Sequence, residues 1–215
     1  MGLTLVSPAF TLVGGGEKSI KDVFADNSIF QASDTVMGAD LVQVWDGSTY
    51  INYFYSSDAG NAWSWDQDGF DETADTIPVG GGFWLSRVGA AVSGATLCGE
   101  VIKTNVDVDV FGGSGTGEDI TQIGNPFPHP LPITSITAPD LQASDTVLGA
   151  DLIQVWDGST YVNYFYSSDA GDAWSWDQDG FDPTTATIPA GGAFWLVRRG
   201  DATTLTLPVP YTIVD

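Results

Sequence analysis

The chain contains itself twice. Gln31 to Ala90 aligns without a gap to Gln142 to Asp201 at an offset of 111 residues, and 48 of the 60 positions are identical. Such a duplication constrains the fold before any local signal is read, because one copy must be a unit that can be built twice and set beside itself. The octet WSWDQDGF, at Trp63 to Phe70 and again at Trp174 to Phe181, sharpens the question. It is either a binding site presented in duplicate or the core and corner of a building block used twice. Several exchanges between the copies keep size and polarity, among them Met37 for Leu148, Val42 for Ile153 and Ile51 for Val162, as a packed core asks. Outside the block the likeness is fainter: LTLVSPAF from Leu3 resembles ITQIGNPF from Ile120, and TLCGEV from Thr96 resembles TLPVPY from Thr206. The expected domains are residues 1–103 and 104–215.

Within each copy the pattern is β. LVQVW (41–45), the turn DGS and TYINYF (49–54) predict a hairpin by composition and turn chemistry. Trp63 and Trp65 lie two apart, which on a strand puts both rings on one face. GGGFWLSR (80–87) and GATLCGEVI (94–102) supply further strands, and VDVDV (106–110) alternates as a half-buried strand should. A modest helix is expected at EKSIKDVF (17–24), with no counterpart in the second half. The expected fold is all-β, two tandem, near-identical β-sandwich-like or barrel-like domains of about 100 residues each.

Charge narrows the function. The chain holds 28 acidic and 6 basic side chains, a net charge of −22, and 24 of the acids are Asp. That field repels phosphate backbones and anionic lipid, so no nucleic acid is expected as a partner and no membrane insertion. Cys98 is alone, which leaves no intramolecular disulfide and no zinc spacing. The opening MGLTLVSPAF has no basic region followed by an apolar run, and the expectation is a mature, extracellular or cell-surface chain already trimmed of its leader.

The succession IGNPFPHPLPI, VWDGSTYVNYFY, TIPAGGAFWLVRRG and LTLPVP resembles a repeated β module of bacterial secreted and cell-surface proteins. The landmarks of that module are an Asn-Pro-Phe turn, an aromatic hairpin and a Pro-x-Gly-x-Gly-Phe-Trp strand. The first copy departs from it in having SPAF where the turn stands. The resemblance implies an extracellular, non-enzymatic module and no specific ligand.

Three kinds of site deserve weighing. Asp58, Asp66, Asp68 and Asp71, with their twins Asp169, Asp177, Asp179 and Asp182, offer oxygen ligands at short spacing around a glycine. Calcium takes such ligands, so calcium is the one cofactor considered, against the plainer reading of a solvated Asp-Gly turn, which the spacing favours. Trp63, Trp65, Trp174 and Trp176 could stack on a polysaccharide, against the weightier claim of core packing. For catalysis the only histidine, His129, lies in a proline ladder and has no twin, so no enzyme is expected. The RGD at 199–201 reads VGA in the first copy and is discounted.

The ends complete the reading. A terminal strand edge invites association, and GLTLV at one end pairing with PYTIV of the next copy would join subunits head-to-tail. The expected interface is Leu3, Leu5 and Val6 against Tyr211, Ile213 and Val214. The leading expectation is therefore a self-assembling extracellular structural protein, a fibre or surface-layer subunit whose partners are copies of itself. The alternative is a secreted carbohydrate-binding or adhesion module with two equivalent sites.

Overall fold

A computed structural model describes residues 2–11, 16–24, 26–90, 99–113 and 119–212. The protein is all-β. The first repeat runs β1 (Gly2–Val6), β2 (Lys18–Ser19), β3 (Leu41–Trp45), β4 (Tyr50–Ser56), β5 (Ala62–Trp65), β6 (Thr76–Ile77) and β7 (Phe83–Arg87). After β8 (Val106–Val110), the second runs β9 (Asp119–Gly124), β10 (Leu131–Pro132), β11 (Leu152–Trp156), β12 (Tyr161–Ser167), β13 (Ala173–Trp176), β14 (Thr187–Ile188), β15 (Ala193–Arg198) and β16 (Thr203–Leu207). Each repeat forms a five-stranded antiparallel sheet, in the orders β1-β7-β3-β4-β5 and β9-β15-β11-β12-β13.

The predicted hairpin is β3 and β4, and its turn shows why the sequence bends there. Asp46 Oδ1 accepts from the backbone N–H groups of Ser48 and Thr49, both at 2.8 Å, and Gly47 takes φ +103°. A side chain that copies a backbone turn, followed by a residue free to adopt positive φ, is a local instruction needing no tertiary help.

Strand alternation then sorts the side chains. One face of the first sheet carries Val42, Phe83, Leu85, Tyr53, Tyr55 and Trp63, all buried. It is roofed by Ile20, Val23, Phe24 and Phe30 and by the short β2–β6 ribbon. In the second repeat Phe127, Leu131, Ile133 and Ile136 form the roof, joined by a second ribbon in which VDVDV pairs with TTLTL as β8 and β16. Val106 and Val110 point into that core while Asp107 and Asp109 accept hydrogen bonds from Thr206 and Thr204, so the expected alternation holds. Ile102, on the first-repeat side of the expected boundary, packs into this second core.

The helix expected at 17–24 does not form. Lys18 and Ser19 pair with Ile77 and Thr76 instead, leaving a single 3₁₀ turn at Ile20–Asp22. A segment this short cannot meet the nucleation cost of an α-helix, and a ladder to β6 offers its backbone a better partner. Met37 and Leu148 also depart from expectation. They are not core but 90% and 82% exposed, on short turns outside both roofs.

The two sheets meet through their second faces, and the contact is reciprocal. Val6 bridges to Gly192 while its equivalent Ile123 bridges to Gly81, and Ser7 N donates to Gly191 O while Gly124 N donates to Gly80 O. Trp45 stands edge-on to Trp195 at 5.7 Å, and their twins Trp156 and Trp84 do the same at 5.9 Å. Residue i of one repeat touches j of the other and j touches i, the signature of a two-fold, isologous contact within one chain.

Both sheets are pinned by the same buried ion pair. Asp40, preceding β3, accepts from Gln31 N and Val88 N and lies 3.3 Å from Arg87 Nη2 at the end of β7. Asp151 accepts from Gln142 N and Arg199 N and holds the guanidinium of Arg198, both side chains fully buried. Replacing Arg198 by methionine would leave that carboxylate uncompensated and is expected to cost about 3–5 kcal/mol of stability, read by urea denaturation. A loss below about 1 kcal/mol would place the pair with ordinary surface bridges.

Candidate functional site

The octet divides between interior and surface. Trp63 and Trp174 are buried at 0% and 1% exposure, with Nε1 donating to Asn27 Oδ1 at 3.2 Å and to Ile136 O at 2.9 Å. They are core residues, which removes them from the sugar-stacking set. Trp65 and Trp176 share the same sheet face, as the spacing predicts, yet are 42% and 43% exposed because they end the outermost strands, β5 and β13.

The aspartates that follow build a turn. Asp68 N and Gly69 N both donate to Trp65 O, Gly69 takes φ +78°, and Asp68 Oδ1 accepts from Phe70 N at 3.2 Å. Asp66 accepts from Asn52 Nδ2 at 3.0 Å, Ser64 Oγ donates to Asp71 O, and Asp58 lies on the exposed turn after β4. Asp177, Asp179, Asp182 and Asp169 repeat the arrangement, down to Asn163 on Asp177 at 3.1 Å. Among the described residues no three His, Cys, Asp or Glu side chains gather as a metal would require. The contacts are those of two Asp-Gly turns, in which the carboxylates of Asp66 and Asp68, and of Asp177 and Asp179, accept from neighbouring N–H groups.

The expected terminal interface is changed as well. Leu3, Leu5 and Val6 are not on a loose end: β1 is hydrogen-bonded to β7 along its length, and Leu5 is buried beside Trp84. Tyr211 is tied to its own chain, its hydroxyl donating to Ile102 O at 2.5 Å. Ile213 and Val214 lie outside the described residues, as does Cys98. What β1 retains is an outer edge. Gly2, Leu3 and Thr4 are exposed, whereas their equivalents on β9, Asp119, Ile120 and Thr121, are partly or fully covered. The cover on β9 includes the end of β8, where Phe111 N donates to Thr121 Oγ1 at 3.0 Å. The same asymmetry reaches the interface between the repeats. Trp45 Nε1 donates to Ile120 O at 3.0 Å, but Trp156 Nε1, whose equivalent acceptor would be Leu3 O, is buried with no hydrogen-bond partner among the described residues.

His129 is exposed, its Nδ1 3.2 Å from the carbonyl of Pro130 and its ring edge-on to Tyr211. Among the described residues no hydroxyl or thiol bonds to it. In the RGD segment, Arg199 Nε donates to Ala150 O at 3.3 Å, which ties the guanidinium to the scaffold.

Two features escaped sequence reading. One is the buried Asp–Arg pair, whose only signal was an arginine at the same place in both copies of a chain poor in cations. The other is the reciprocal role of Trp45, Trp84 and their twins. Trp84 Nε1 donates to Tyr50 Oη at 3.1 Å and Trp195 Nε1 to Tyr161 Oη at 3.2 Å, so these two interface rings are also fixed within their own sheets. Burial pushes the Tyr50 hydroxyl above its usual range, with the donation from Trp84 opposing that shift. Compared with protein-family models, curated proteins and solved structures, the chain matches none.

The hairpin turns give a pH test. Backbone N–H groups, those of Thr49 and Thr160 foremost, hold the carboxyls of Asp46 and Asp157 below the ordinary value of 3.8. A depressed folded value means that the unfolded chain binds protons first as pH falls. The turns' contribution is thus complete above the ordinary value and is lost as pH drops through the depressed one. The double variant Asp46→Asn, Asp157→Asn is expected to flatten the acid limb of a stability–pH curve, and an unchanged limb would remove these turns from the acid response.

Proposed function

We propose that the protein is a non-catalytic structural subunit of an extracellular or cell-surface assembly, and that copies join through the exposed edge of β1. The observation that carries this reading is the difference between β1 and β9. The same strand of the same module is covered by the end of β8 in the second repeat and exposed at Gly2 to Thr4 in the first. An exposed edge with an outward leucine, Leu3 at 46%, is a template for a further strand. The reciprocal contact between repeats supports the same view from another side, because an isologous contact closes on itself and leaves growth to other surfaces. The extracellular setting draws on the resemblance to modules of secreted and surface proteins.

Deleting the first strand is not a clean test, since Leu5 and Val6 belong to the folded sheet. Leu3→Lys is better: the side chain is outward, and lysine is a common guard against edge pairing. Electron microscopy of the wild-type protein is expected to show filaments or sheets, and the variant monodisperse particles with unchanged far-ultraviolet circular dichroism. Assembly persisting in the folded variant would overturn growth through β1.

A further inference from the structure

A groove of about 650 Å³ opens on the first repeat where β5 stops short and leaves the start of β4 uncovered. Its floor and walls include Tyr53, Asn52 and the exposed ring of Trp65, with Asp46, Asp66 and Asp75 around them. Each carboxylate is held in place. Asp46 is fixed by the N–H groups of Ser48 and Thr49, Asp66 by Asn52 at 3.0 Å, and Asp75 by the Tyr53 hydroxyl at 2.8 Å. Gln67 and Thr49, also at the groove, add donors.

We propose that this groove binds a neutral oligosaccharide, a ligand whose recognition is independent of the assembly reading above. A pyranose ring presents a flat C–H face to an aromatic ring and hydroxyl donors at its rim, and the groove presents an indole face flanked by oriented acceptors. Acceptors already fixed lose little entropy on binding, which favours them over mobile surface carboxylates. The volume lies within the roughly 300–1,000 Å³ of small-molecule sites. Uronic and sulfated sugars are disfavoured, because three carboxylates line the groove and the chain carries a net charge of −22.

The site is single. In the second repeat Ala186 replaces Asp75, so Tyr164 lacks the carboxylate that Tyr53 holds, although Trp176 keeps the exposure of Trp65. Near-identical copies thus divide the labour, one groove furnished for a ligand and the other not.

The test is an array of neutral oligosaccharides of glucose, mannose, galactose and N-acetylglucosamine, followed by tryptophan fluorescence titration with the best binder. Trp65→Ala is expected to abolish binding, Asp75→Ala to weaken it roughly tenfold, and Trp176→Ala to leave it unchanged. Asp75 is exposed, so its variant keeps the fold even if that of Trp65 does not. No binding by any member of the array would overturn the proposal, as would equal losses in the Trp65 and Trp176 variants or none in any of the three.

Discussion

Four tryptophans hold the two sheets against each other, and most of what the protein can present to its surroundings follows from that contact. Trp45 and Trp84 from the first repeat meet Trp195 and Trp156 from the second in two equivalent edge-on pairs. Large rings at such angles gain both from buried area and from the complementarity of edge and face. Because the pairs are reciprocal, one duplication supplies both halves of the interface, and an exchange in either copy is felt at a single contact. The cost is that Trp84 and Trp195, with Trp63 and Trp174 in the cores, are buried, and Trp45 and Trp156 are half-covered. Of eight tryptophans, Trp65 and Trp176 are the ones left substantially exposed.

How much of this was legible from the sequence depended on how local the cause was. The β3–β4 hairpin was legible because Asp46 and Gly47 write the turn into four consecutive residues. The shared face of Trp63 and Trp65 was legible because a strand has period two. Their depth was not, since alternation assigns a face and says nothing of whether a roof lies over it. Met37 and Leu148 misled for the same reason: an apolar exchange between copies looks like core, yet the turns they occupy leave both side chains exposed. The tryptophan interface was hidden by its own composition. On the strands that carry it, Gln43 and Asn52 alternate with the rings, a mixture that reads as a half-wet face until a second sheet is placed on it. The pairing of the N-terminal strand with β7 was not legible, because β7 lies far along the chain and long-range pairing leaves no local mark.

The octet that opened the question is thus answered in two parts. Its first tryptophan is core, its second is edge, and its aspartates make the corner that follows, which is the description of a building block. Symmetry between the copies is broken where function is proposed. The edge of β1 differs from that of β9 in its cover, and the groove beside Trp65 differs from its twin by Asp75 against Ala186. A duplicated scaffold with unequal surfaces can carry an assembly contact and a ligand site without either compromising the shared core.

The central claim, that the repeats form a reciprocal pair through their tryptophans, is tested most directly by a double-mutant cycle on Trp84 and Trp156. These rings lie 5.9 Å apart but belong to different repeats, so any coupling between them must cross the interface. Unfolding free energies for Trp84→Ala, Trp156→Ala and the combined variant are expected to yield a coupling of about 0.5–1.5 kcal/mol. Strict additivity would mean that the two sheets fold as independent beads on a chain, and the account given for the interface would be wrong.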